Sequence, residues 1–233
     1  MRCTPEPLTV PLESGQSVTA LAYRAPGVSP STPICATVIL AHGAGAGQRS
    51  PFMTNFAQAL ADLGLDVVTF NFPYTEQGRR LPDRAPVLEA CYAAVVERVR
   101  AQLPRSQATL VIGGKSMGGR IATQLLAARP SLPVTAVVLL GYPLHPPGRA
   151  DRRRDAHLVS VCRPTLFVQG ERDTFGTPAE LAPALARMAP QPTLHVIEGG
   201  DHSFKVSRVG TAGQDAIFAS MQRAIADWIA RLA

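Results

Sequence analysis

The segment Thr109-Leu110-Val111-Ile112-Gly113-Gly114-Lys115-Ser116-Met117-Gly118-Gly119-Arg120 changes character twice. Thr109–Ile112 is a short apolar run of the kind found in strands buried on both faces. Ile121 to Arg129 has helical character and stops at Pro130. Between them stands Gly114-x-Ser116-x-Gly118. Flanking glycines let a chain turn sharply from strand to helix, leaving the serine Oγ projecting at the C-terminal edge of the sheet. The backbone N–H of Met117, at the helix N-terminus, can then help to bind an oxyanion. Gly114-Lys115-Ser116 also resembles the end of a phosphate-binding loop. That pattern needs glycine where Thr109 stands inside the strand, so it fails on spacing.

The same alternation extends in both directions. Leu8–Val10 and Val18–Tyr23 flank a turn at Glu13–Gln16 and predict an N-terminal β-hairpin. A Pro/Ser-rich loop, Pro26 to Pro33, follows. Further strands are expected at Ala36–Leu40, Val67–Phe72, Val134–Leu140, Thr165–Gln169 and Thr193–Ile197. Amphipathic helices are expected around Phe52, Phe56, Leu60 and Leu63, then around Leu88, Cys91, Tyr92, Val95 and Val99. A last helix carries Phe218, Met221, Ile225, Trp228, Ile229 and Leu232. Strands alternating with helices imply an α/β fold whose mostly parallel sheet has helices on both faces. With no repeat or linker, residues 1–233 are expected to form one domain.

A serine hydroxyl needs a base, and the base an orienting acid, each expected after a later strand. After Thr165–Gln169 comes Gly170-Glu171-Arg172-Asp173, which offers Asp173 as the acid, with Glu171 as a rival and a helix-capping role as its alternative. After Thr193–Ile197 comes Glu198-Gly199-Gly200-Asp201-His202, which offers His202 as the base and Asp201 as a turn cap. The other histidines are worse placed: His195 lies within a strand, His145 in a Pro-rich loop, and His157 in no recognisable motif.

A third element is His42-Gly43-Ala44-Gly45-Ala46-Gly47, following Ala36–Leu40. Small residues let this loop approach a ligand, and the Ala44 N–H is the expected second oxyanion donor. A dinucleotide loop would place its third glycine at 48 rather than 47. His42 is expected to tie the loop down rather than to bind a metal, since no second ligand lies at a suitable offset.

Composition removes other classes. Hydrophobic residues are 46% of the chain and charged residues 17%, which argues against disorder. No apolar run approaches the roughly 20 residues that cross a bilayer, and a cytoplasmic protein is expected. Cys3, Cys35, Cys91 and Cys162 are far apart, so neither a disulfide framework nor structural zinc is expected. The net charge of +6 comes from arginines scattered along the chain, without the aromatic-and-basic motif of a nucleic-acid binder.

With these residues in hand, the chain resembles the α/β-hydrolase superfamily, and within it the small lidless dienelactone-hydrolase-like members. Gly113–Arg120, His42-Gly-Ala-Gly45, Asn71-Phe-Pro-Tyr74 and Gly141-Tyr-Pro-Leu-His145 resemble the branch of testis-expressed and nonspecific-lethal-complex hydrolase-like proteins. The resemblance implies Ser116 as nucleophile, Asp173 as acid and His202 as base. Serine stands here where dienelactone hydrolase itself uses cysteine. Only Gly141 to Pro164 separates two strands at the place where many relatives insert a cap, so none is expected.

The expected activity is cleavage of a small carboxylic ester, lactone or thioester through an acyl-enzyme, with neither metal nor organic cofactor. The other reading is a non-catalytic interaction module on the same fold. In the Gly141–Pro164 loop, Arg149, Arg152, Arg153 and Arg154 interleave with Asp151 and Asp155, as local ion pairs or as a clamp for a substrate anion. Phe72, Pro73, Tyr74 and Tyr142 follow strand ends and could line an acyl pocket or simply pack.

Overall fold

The computed structural model describes residues 4–26 and 35–232, so Cys3 and most of the Pro26–Pro33 loop lie outside the described residues. β1 (Glu6–Pro11) and β2 (Ser17–Tyr23) form the expected hairpin, with Val10 opposite Val18. The chain continues through β3 (Ala36–Ala41), α1 (Pro51–Asp62), β4 (Asp66–Phe70), α2 (Pro73–Glu76), α3 (Ala85–Gln102) and α4 (Arg105–Ala108). Next come β5 (Thr109–Lys115), α5 (Met117–Ala128), β6 (Ala136–Leu140), β7 (Thr165–Gly170), α6 (Pro178–Leu185), β8 (Thr193–Ile197) and α7 (Thr211–Ala230). The strands make one sheet in the order β1-β2-β4-β3-β5-β6-β7-β8. β1–β2 and β2–β4 pair antiparallel, and every other pair is parallel.

Side-chain alternation sorts the strands onto two cores. Ile39, Val68, Phe70, Ile112, Val137, Leu139 and Phe167 pack with α3 and α5 on one face. Val38, Leu40, Val67, Val111, Val138, Leu140 and Val168 pack with α1 and α7 on the other. Burying an aliphatic side chain of this size contributes about 1.5–3 kcal/mol, so both faces of the central strands must be apolar. The continuous apolar runs in the sequence are this two-sided burial.

Several strand ends differ from the expectation: β3, β5 and β7 run on to Ala41, Lys115 and Gly170, while two ends fall short. β4 stops at Phe70 because Phe72 turns its N–H to His42 Nε2 at 3.3 Å and Pro73 opens α2. β6 starts at Ala136 because Val134 N bonds back to Leu132 O at 2.7 Å, just after Pro133. α5 starts at Met117, earlier than its apolar face suggests, since the small Gly118 and Gly119 leave no hydrophobic trace there.

The topology also fixes where a ligand can sit. From β3 the chain runs to β4 on one side through α1, then crosses to β5 on the other through α3. These helices lie on opposite faces of the sheet, which opens a crevice at the C-terminal ends of β3 and β5. Among the described residues, β6 and β7 are joined by a loop holding one three-residue 3-10 turn, Leu158–Ser160, and no cap domain.

Candidate active site

Ser116 sits between β5 and α5 with φ 51° and ψ −115°, a conformation rare for a residue with a Cβ. Glycine is required on both sides of it. At Gly114, φ is +155° and an added Cβ would lie 2.3 Å from Ala41 O. At Gly118 a Cβ would lie 2.4 Å from the same oxygen. The elbow is therefore pressed against the backbone of β3. Tyr92 of α3, fully buried, braces it by accepting from Gly113 N at 2.9 Å and donating to Gly113 O at 2.6 Å.

The structure brings Ser116, Asp173 and His202 together although they follow three different strands. His202 Nε2 is 2.9 Å from Ser116 Oγ, and His202 Nδ1 is 2.7 Å from Asp173 Oδ2. A carboxylate only accepts, so Nδ1 carries the proton and Nε2 is left to accept from the serine hydroxyl. Asp173 is fully buried, while the His202 side chain is 20% exposed toward the crevice. The Phe175 ring lies over the imidazole with centroids 4.2 Å apart.

The rival roles resolve. Thr177, not Asp173, caps α6, in a capping box with Glu180. Glu171 accepts from Gly199 N at 2.7 Å, away from the histidine. Asp201 closes a turn by accepting from Ser203 N and Lys205 N, at 2.7 and 2.9 Å. His42 is buried, donating from Nδ1 to Gly43 O at 2.8 Å and accepting from Phe72 N at Nε2, so it does tie its loop down. Burial lowers its pKa below the usual histidine value, which keeps the ring neutral.

Met117 and Ala44 line the same crevice as Ser116, and the backbone N–H of neither donates to an acceptor among the described residues. Tyr74 Oη donates to Ala44 O at 2.9 Å and so holds the Ala44–Gly45 peptide, the one after the Ala44 N–H. Ala44 is exposed, and Met117 is buried at the start of α5.

Three contributors escaped the sequence reading. Gln169, buried at the end of β7, donates to Asp173 Oδ2 at 2.8 Å and to Gly176 O at 2.7 Å, and accepts from Tyr142 N at 2.8 Å. A glutamine ending the apolar run Thr165–Val168 was its only signal. Tyr92 reads as a core aromatic and Tyr74 as a residue that lines a pocket or packs; both rings are in the core. Phe72, Pro73, Tyr74 and Tyr142 are all buried and do not line the crevice.

Lys115, next to the serine, donates from Nζ to His202 O at 2.6 Å and lies 5.1 Å from the centroid of the Phe204 ring. Burial pushes its pKa down to about 8, against an upward pull from the carboxylates of Asp173 and Asp201. The crevice has a volume of about 1060 Å³. Phe52, Phe56 and Phe218 form an apolar wall on the α1/α7 side, and Met117 and Ile121 line the α5 side.

Three residues of the arginine loop part company. Arg149 pairs with Asp151 at 3.1 Å and Arg153 with Asp155 at 2.6 Å, whereas Arg154 turns into the crevice.

A family model described as an alpha/beta hydrolase domain matches residues 34–230. Among solved structures, the chain is similar to a lidless serine hydrolase from Xanthomonas campestris, with 24% identity, a TM-score of 0.71, and 97% of this chain and 95% of that one covered. It is similar to a dienelactone hydrolase from Anabaena variabilis, at 19% identity and TM-score 0.75, over 99% of each chain. A Pyrococcus furiosus esterase superposes with TM-score 0.76 at 14% identity, over 97% of this chain and 91% of that one. At these identities the likeness is one of fold.

Proposed function

Since the chain belongs to the alpha/beta hydrolase family, we propose that it is a serine hydrolase, cleaving a small carboxylic ester, thioester or lactone through an acyl-enzyme. The observation that carries this reading is the continuous chain of hydrogen bonds Ser116–His202–Asp173, 2.9 and 2.7 Å long, opening on a crevice.

In the first half-reaction Ser116 Oγ attacks the carbonyl carbon as His202 Nε2 takes its proton. The carbonyl electron pair moves onto oxygen, where the N–H groups of Met117 and Ala44 bind it. Asp173 holds the imidazolium by accepting from Nδ1, and Gln169 and Phe175 N occupy the other carboxylate positions. Collapse breaks the bond to the alcohol or thiol, which leaves with the proton from Nε2. Water then repeats the sequence: Nε2 takes its proton, hydroxide adds to the acyl carbon, and Ser116 leaves with that proton restored. The apolar wall of Phe52, Phe56 and Phe218 suits an acyl or alcohol group of modest size.

The test is labelling by a fluorophosphonate probe, wild type against Ser116→Ala, with p-nitrophenyl acetate and butyrate hydrolysis alongside. Labelling and turnover that vanish in the variant are the expected result. A folded wild type that neither labels nor turns over ester would overturn the proposal in favour of a non-catalytic interaction module.

A further inference from the structure

We propose that Arg120 and Arg154 form a subsite for a carboxylate carried on the acyl part of the substrate. The inference rests on the reading of Ser116 as nucleophile and narrows it to monoesters or monothioesters of short dicarboxylic acids.

Arg120 stands four residues after Ser116, its N–H donating to Ser116 O at 3.1 Å, and both residues line the crevice. Ser116 is the N-cap of α5 and Arg120 lies in its first turn, so one helix end presents both to the cavity. The Arg120 guanidinium is half-buried. Its Nη1 donates to the neutral Gln124 Oε1 at 3.1 Å, and its Nε is buried without an acceptor. Glu89 is a carboxylate close enough to act on it electrostatically, but it forms no ion pair.

Arg154 reaches the same space from the β6–β7 loop. Its backbone is pinned on both sides, N–H to Leu144 O at 2.8 Å and C=O accepting from Tyr142 Oη at 2.6 Å. Among the described residues its guanidinium has neither a hydrogen bond nor an ion pair, although it is only partly exposed. Arg149 and Arg153 in the same loop both have carboxylate partners.

Two like charges are thus held toward one cavity with no anion between them. Their mutual effect is visible in the neighbourhood. Burial first, then Arg154, depresses the pKa of Arg120. Burial and Arg120 push His157 down to about 4, so it stays a neutral partner of Thr123. The acids lining the crevice do not neutralise the pair. Asp83 Oδ1 is engaged by Arg79 at 2.7 Å, its Oδ2 is buried without a hydrogen-bond partner, and Asp215 lies on α7, which packs on the opposite face of the sheet from α5.

A carboxylate fits this gap because guanidinium groups bind its two oxygens in parallel. Ser116, Arg120 and Arg154 line one crevice, so a short acyl chain with its ester carbonyl at Ser116 directs its far end to the arginines.

The experiment compares kcat/KM for 4-nitrophenyl hydrogen glutarate with that for its neutral analogue, 4-nitrophenyl methyl glutarate. Wild type is expected to favour the anion by roughly 10- to 100-fold, the value of one or two charge-assisted hydrogen bonds. Arg154→Gln and Arg120→Gln should each lower that ratio about tenfold, and Arg154→Glu should bring it below one. Arg152→Ala, on the exposed part of the loop, should leave the ratio unchanged. A wild-type ratio near one, or an equal fall in Arg152→Ala, overturns the proposal.

Calorimetry of Ser116→Ala with monomethyl glutarate separates this outcome from failure of the hydrolase reading. Binding that is lost on adding Arg154→Gln supports the subsite even in a protein that turns over no ester. No binding and no preference refutes it.

Discussion

Replacing Ser116 with glycine should leave a more stable protein than replacing it with alanine, the reverse of the usual order. Both variants remove Oγ and its 2.9 Å bond to His202 Nε2, so that loss cancels in the comparison. The backbone remains at φ 51° and ψ −115°, where a residue with a Cβ stores about 1–3 kcal/mol. Glycine releases that strain but loses about 0.5–1 kcal/mol more chain entropy on folding. The balance favours glycine by about 1 kcal/mol at the midpoints, within a range of about 0–2.5 kcal/mol. Urea unfolding followed by far-UV circular dichroism and by the fluorescence of Trp228, the single tryptophan, measures the difference as a shift in midpoint at a shared slope. An alanine variant as stable as the glycine variant, or more so, would mean that the turn is not strained. The compression of Ser116 between Gly114 and Gly118 would then need another explanation.

Gly118→Ala would drive a Cβ to 2.4, 2.6 and 2.8 Å from Ala41 O, C and Cβ, atoms that move only with β3. We expect it to cost about 1–3 kcal/mol or more, with loss of probe labelling. Gly45→Ala meets nothing within 4 Å and should stay within about 0.5 kcal/mol of wild type by the same urea assay. Asp173→Asn keeps the shape but puts an amide where Nδ1 needs an acceptor; ester turnover should fall about 10⁴-fold, and a fall below tenfold would remove Asp173 from its role. Lys115→Met tests the buried ammonium. Folding holds its pKa near 8 against an ordinary 10.5, so between those values the unfolded chain binds the extra proton. This group therefore makes wild type gain stability as pH rises from about 8 to 10.5, with the variant showing a flatter profile; parallel profiles would contradict the shift.

What the sequence disclosed follows from local and periodic signals. Strands buried on two faces must be continuously apolar, so Ala36–Leu40 and Thr165–Gln169 were legible as strands, and the residues after them as sheet-edge loops. Gly114-x-Ser116-x-Gly118 was legible because its glycines answer a local backbone demand. Contacts between distant segments were not legible. Gln169 meets Asp173 four residues on, but only through a loop whose turn the sequence does not specify. Tyr92 braces Gly113 from 21 residues away and looks like any other aromatic on a helix face. In the arginine loop, the sequence left local ion pairs or an anion clamp open for all four arginines, and Arg149 and Arg153 form ion pairs. It gave no reason for Arg154 to differ, because the cavity that receives it is built by α5.

The histidine belongs to the last strand of the sheet, and that placement bears on how the protein fails. β8 pairs only with β7, and its residues are largely exposed or half-buried, whereas the elbow rests on strands buried on both faces. Ser116 and His202 are 86 residues apart, so their contact exists only while the rim of the sheet is docked. Partial opening that frees β8 and α7 would carry the base away and leave the strained serine turn in place. On the proposed function, hydrolase activity is therefore expected to be lost at lower denaturant than the core. In refolding from denaturant it would be recovered last, when the edge strand closes onto β7.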